Sequence, residues 1–209
     1  MGVKAMTKAT TSKEEEIISS SPVADDQVSS EKTQSIKEDI KEKKGAKHEK
    51  GMLQVVEFLL GKERYAVDLF DVKEVVEYTT ITKLPNSPSY MKGIIDLRGE
   101  ITTIVDLKER LHIVATTELQ EENCRIIVLD EKITKAKTGI MVDDVTSVST
   151  FDMSDIDKTS AADSNDETTI LGIIKKKVKD KEHEKNELII WIDIKYLLKD
   201  IGEGMSANS

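Results

Sequence analysis

The sequence predicts a mainly β protein built of small barrels or a sandwich. Three observations carry that prediction. Roughly ten short apolar runs, rich in Val, Ile and Thr, follow one another at close spacing from Met52 onward. Turn chemistry separates several of them: Gly61-Lys62, Pro85-Asn86-Ser87-Pro88 and Arg98-Gly99. Helical periodicity is confined to short stretches, as in Ile194, Leu197, Leu198 and Ile201, with Gly202 placed to stop the helix. A pair of barrels buries far more of these strands than one five-stranded unit does.

Residues 1–50 stand apart. They hold no aromatic residue, and their ten lysines balance ten acids, so the net charge of −9 falls in residues 51–209. Little apolar surface offsets an ordering cost of about 1–2 kcal/mol per residue. The segment is expected to be a disordered tail, capable of transient helix around Ser35 to Glu49. The composition shift at Gly51 opens a folded domain over 51–201, and 202–209 form a short flexible tail.

Within the domain, Leu53 to Leu60 and Arg64 to Val67 form a hairpin about Gly61-Lys62. Asp68 follows as an N-cap. Leu69, Val72 and Val76 then lie at i, i+3 and i+7, one face of a short helix that carries Glu74 on another side and leaves Val75 partly exposed. Thr79 to Thr82 return the chain to strand. From Leu84 to Leu111 the chain turns, runs as strand, reverses at Arg98-Gly99, runs as strand again and ends in a short helix. Gly99 supplies the positive φ that a tight hairpin needs, so Arg98 is held at a rigid tip.

Val67-Asp68-Leu69, Val105-Asp106-Leu107 and Ile192-Asp193-Ile194 repeat one pattern, a strand end, an Asp and an apolar helix start. Each Asp has an immediate capping task, so the three are read as caps rather than metal ligands. His112 to Asn123 connect in polar sequence. Strands follow at Cys124–Leu129, Thr138–Val142 and Val145–Val148, with Asp143-Asp144 marking a bulge or corner. Residues 157–169 form a polar loop. Two apolar strands, Ile170–Ile174 and Leu188–Ile192, flank a charged stretch expected to be a long solvated loop.

Several functions are disfavoured by composition. An acidic chain lacks the basic face that nucleic-acid phosphates require. One cysteine, Cys124, allows no internal disulfide, fits a reducing compartment, and is expected to be a small buried side chain. No apolar run approaches the roughly 20 residues that span a bilayer. Met6 breaks a myristoylation motif after Met1-Gly2. A soluble cytoplasmic protein is expected. His48, His112 and His183 are scattered, and no zinc motif, phosphate loop or nucleophile elbow is present. Adjacent Asp143 and Asp144 on a strand would face opposite ways, which suits no paired-carboxylate mechanism. Elimination favours a binding module, with no metal and no cofactor expected.

Four pieces, FLLGKERYAVDLFDVKEVVE, LPNSPSYMKGIIDLRGEITTIVDLKERL, GIMVDDVTSV and LIIWIDIKYLL, together resemble the CheW family of chemotaxis coupling proteins. The likeness runs from about Met52 to Ile201; family members usually carry Asn at the position of Asp96, and the tail has no counterpart. The resemblance implies two five-stranded SH3-like β-barrels packed about a shared hydrophobic core, with a short C-terminal helix. It implies an adaptor and not an enzyme, which joins the cytoplasmic tip of a chemoreceptor (a methyl-accepting chemotaxis protein) to the regulatory domain of the histidine kinase CheA. It places the chain in the cytoplasm, at membrane receptor arrays through its partners. The implied receptor- and kinase-binding set is Leu69, Val72, Glu74, Val75, Arg98, Gly99, Val142 and Val145. The apolar members would line a groove for a receptor helix, and Glu74 and Arg98 would fix register. Other roles stay open: Leu69 as core, Glu74 as a solvated helix position, Arg98 as a clamp on a neighbouring carboxylate. A scaffold in a non-chemotactic receptor–kinase array, or a stand-alone relative of the kinase regulatory domain, is the alternative.

Overall fold

A computed structural model describes residues 23–45, 51–113, 123–134, 136–158, 169–179 and 184–201. In chain order these form α1 (Val23–Gly45), β1 (Met52–Leu60), β2 (Glu63–Asp68), β3 (Val72–Glu77), β4 (Met91–Leu97), β5 (Glu100–Asp106), α2 (Leu107–Arg110), β6 (Arg125–Leu129), β7 (Thr138–Val142), β8 (Asp144–Asp152), β9 (Ile156–Asp157), β10 (Ile170–Lys179), β11 (Glu184–Ile192) and α3 (Ile194–Leu197). The strands make two sheets, one of six in the order β8-β1-β2-β11-β10-β9 and one of five in the order β3-β6-β7-β5-β4. The fold is mainly β, as the sequence predicts. Strand pairing leaves each sheet unclosed, with β8 and β9 at the ends of one and β3 and β4 at the ends of the other.

Alternation along the strands builds the core. Successive side chains on a strand face opposite ways. On β1, Val56, Phe58 and Leu60 point into a cluster shared by both sheets, while Leu53 and Val55 join a second cluster under the six-stranded sheet. On β6, Ile127 and Leu129 enter the shared cluster, and Ile126 and Val128 a third cluster under the five-stranded sheet. After Arg125, β6 is therefore an apolar run buried on both faces, while β1 carries Gln54 and Glu57 among its apolar positions.

The acidic doublet sits at a corner between sheets. β7 belongs to the five-stranded sheet and β8 to the six-stranded one, and Asp143 is the residue between them. Its buried carboxylate accepts hydrogen bonds from Gly61 N at 2.6 Å and Lys108 Nζ at 2.5 Å. Burial alone would lower the pKa of Lys108; the hydrogen bond and charge of Asp143 outweigh it and raise it.

The repeated Asp residues are caps. Asp68 accepts from Phe70 N, Asp106 from Lys108 N and Glu109 N, and Asp193 from Tyr196 N. Asp152 does the same for Ser154 N at the end of β8, a fourth cap of this kind. Cys124 is buried at the entry to β6.

Four expectations need correction. Over 23–45 the supposed tail is helix, with Thr33, Ile36 and Ile40 buried. The helix proposed after Asp68 is only a 3-10 turn at Leu69–Asp71, after which Val72–Glu77 pair with β6 as strand, and Val75 is fully buried. Thr79 to Thr82 contribute a single bridge, Thr82 to Ile94, rather than a strand. The charged stretch after Ile174 continues the β10–β11 ladder out to Lys179 opposite Glu184. The bulk of the 157–169 loop, most of 113–123, and the tail 202–209 lie outside the described residues.

Candidate functional site

Arg98 owes its position to a two-residue turn. Leu97 pairs with Glu100, and both intervening residues have positive φ, 56° at Arg98 and 82° at Gly99. That is the type I′ geometry whose twist matches the flanking strands. Asp96 holds the turn by accepting from Gly99 N at 2.6 Å. An Asp carboxylate therefore makes the turn contact.

Glu74 approaches from β3. Its side chain meets the guanidinium as a two-pronged pair, Nη1 to Oε1 at 3.3 Å and Nη2 to Oε2 at 3.1 Å. Further charges surround the tip: Lys137 bridges Glu100 and Glu131, and Lys73 reaches Glu131 at 3.4 Å. The contact with Lys137 holds the Glu100 carboxyl below its ordinary range. Ile101, beside the tip on β5, is 60% exposed, a large apolar side chain in water that sequence reasoning passes over.

The apolar candidates sit differently. Leu69, Val72, Val75, Val142 and Val145 are all at most 1% exposed and belong to the shared cluster. Gly99 is at the turn with open space about it. The structure thus joins Glu74, Arg98 and Gly99 in one exposed feature. It sets the five apolar residues in the core behind it rather than in an open groove.

The cover over that core is α1. Ile36 and Ile40 enter the same cluster as Val72, Val75, Val145 and Val148. Midway along the helix, Lys32 pairs with Asp144 at 2.5 Å and Arg125 donates to Thr33 Oγ1 at 3.2 Å. Near its end, Lys43 donates to the carbonyl of Val148 and Lys44 to that of Val72. The helix therefore runs along the seam between β3 and β8, which are end strands of the two sheets. Burial holds the Lys44 ammonium below its ordinary pKa, with Asp130 and Asp71 opposing the shift. Between α1 and the ion pair opens a cleft of about 400 Å³, lined by Lys37, Ile40, Lys41, Lys44, Lys73, Glu74 and Arg98. The sequence signal for this contact was Thr33, Ile36 and Ile40 at i, i+3 and i+7, a single narrow stripe in a charged segment.

Among the described residues no group of His, Cys, Asp and Glu is arranged to hold a metal ion, and no helix is long and apolar enough to cross a membrane.

The comparisons with known proteins agree with this fold. Residues 54–202 match the family model described as a CheW-like domain. Among curated proteins, chemotaxis protein CheW of Treponema pallidum is 35% identical over 104 residues, covering 49% of this chain and 61% of that protein. Chemotaxis protein CheW of Thermotoga maritima is 26% identical over 148 residues, covering 71% of this chain and 89% of that protein. A crystal structure of scaffolding protein TtCheW from Thermoanaerobacter tengcongensis superposes with a TM-score of 0.58 at 33% identity, over 73% of this chain and 92% of that one. The matched span takes in both sheets, the hairpin tip and α3, and on that footing this chain belongs to the CheW-like family of chemotaxis scaffold proteins.

Proposed function

We propose that the chain is an adaptor without catalysis of its own, which couples the cytoplasmic tips of chemoreceptors to the regulatory domain of CheA in a ternary array. One observation carries the reading: Arg98 stands on a type I′ hairpin, braced by Glu74, beside a seam between two sheets that is wide enough to seat an α-helix. A receptor tip is, by the family resemblance, an α-helical hairpin, and helices dock by laying an apolar stripe into such a seam. Arg98 and Glu74 then set register and orientation. Leu69, Val72, Val75, Val142 and Val145 act as the floor that shapes the seam and not as free contact points. The protein works in the cytoplasm and reaches the membrane through its partners.

The test is a mixing assay with receptor-tip fragments and the kinase. It reads ternary complex formation and kinase activity. A chain that binds both, and loses binding on Arg98→Ala while still folded, supports the adaptor. A folded chain that binds neither partner overturns it.

A further inference from the structure

We infer that α1 is an intramolecular stand-in for the receptor helix: it occupies the seam between β3 and β8 and leaves when that helix docks. The inference rests on the adaptor reading above, and it adds a layer of control to the same site.

The geometry of the helix is that of a ligand. The second half of α1 lies lengthwise along the seam, Lys32 and Thr33 at Asp144 and Arg125 and Lys43 and Lys44 at Val148 and Val72. It presents Ile36 and Ile40 one turn apart to the apolar floor. It lies against β3 and β8, end strands of the two sheets, with its lysines at the carbonyls of Val72 and Val148. Its flank also forms one wall of the cleft in front of Glu74 and Arg98, so a second helix cannot lie in the seam while α1 is there.

The hold is light. From residue 30 to 45 only Thr33, Ile36 and Ile40 are buried. Among the described residues the polar grip includes two lysine contacts to main-chain carbonyls, the Thr33–Arg125 hydrogen bond and the partly exposed Lys32–Asp144 pair. A segment with so narrow an apolar stripe stays docked because it is tethered to the sheet it covers, which gives it a high effective concentration. The same features state what the displacing helix offers: two apolar residues at i and i+4, and cations about two turns later that reach the Val72 and Val148 carbonyls.

The test uses the full chain and its Ile36→Glu/Ile40→Glu variant, each titrated with a receptor-tip helical-hairpin fragment. If α1 is docked in about nine of ten molecules, freeing it tightens apparent binding about tenfold. Amide hydrogen exchange of residues 30–45 in the unmutated chain should rise when the fragment binds. Lys43→Ala/Lys44→Ala, which leaves the apolar core untouched, should shift binding the same way by less, and it carries the test if the double Glu variant does not fold. Equal binding by all chains, with α1 protected in the complex, overturns the stand-in and leaves the adaptor reading standing. Failure of every folded chain to bind the fragment overturns the adaptor reading, and the stand-in falls with it.

Discussion

Arg98 and Glu74 form an ion pair of unequal halves: the arginine side chain is 72% exposed and the glutamate only 19%. The glutamate is anchored in the sheet, and the guanidinium projects into solvent with most of its surface free. An exposed pair contributes about 0–1 kcal/mol to stability. The arrangement thus has little to do with folding and suits contact with a partner.

Arg98→Ala should therefore leave the melting temperature almost unchanged. It should weaken assembly with receptor tips and kinase by about 2 kcal/mol, close to thirtyfold, the size of an interface hot spot. Thermal melts and pull-down of both partners check the two halves. A folded variant that assembles normally would remove Arg98 from the interface.

Gly93→Ala tests the platform beneath the hairpin. Gly93 has φ +146°, and a Cβ there would lie 2.2 Å from Thr82 O and 2.9 Å from an Ile81 methyl. Thr82 and Ile94 exchange both hydrogen bonds of a bridge at 2.9 Å, so the backbone has no room to yield. A loss of about 3 kcal/mol is expected, from combined backbone strain and overpacking. Urea denaturation measures it.

Lys176→Ala probes a buried charge on the other sheet. Glu57 has no exposed surface, and both its carboxylate oxygens take hydrogen bonds from Lys176 Nζ, at 2.8 and 2.9 Å. Removing the ammonium strands a carboxylate inside the fold, at a cost of about 3 kcal/mol. Adding Glu57→Gln to the variant should recover part of the loss. Denaturant midpoints of the single and double variants decide it.

Asp71 gives the fold a pH dependence of definite sign. Burial pushes its carboxyl above the ordinary value of 3.8, although the hydrogen bond and charge of Lys195, at 3.0 Å, and the charge of Lys132 pull the other way. The folded chain therefore binds this proton more tightly than the unfolded chain. The stability it contributes is fully present below 3.8 and is lost as pH rises through the raised folded value. Glu100 and Asp152, whose carboxyls are lowered, slope the opposite way, so the informative quantity is the difference between wild type and Asp71→Asn. In that difference the wild type loses stability relative to the variant as pH climbs out of the acid range. Parallel urea curves against pH would contradict it.

Sequence alone determined whatever is settled within a few residues or by strict alternation. The Arg98-Gly99 reversal follows from turn chemistry, and the three Asp caps from a strand end meeting a helix start. The mainly β character follows from β-branched runs at short spacing, and the resemblance to CheW from four intact segments. Glu74 and Arg98 were legible as residues, but not as a pair, because nothing local brings β3 against a hairpin 24 positions later.

Tertiary structure decided the rest. Leu69, Val72 and Val76 fit a helical period and still join a 3-10 turn and a strand, because β6 offers Val72–Glu77 a ladder that no local pattern announces. The lysines after Ile174 extend a hairpin in place of a solvated loop, since Lys176 has Glu57 to neutralise. Residues 23–45 carry too little apolar surface to fold by themselves. Their helix acquires its use only where two finished sheets leave a seam for Ile36 and Ile40 to fill, and a seam between sheets is written in no single stretch of the chain.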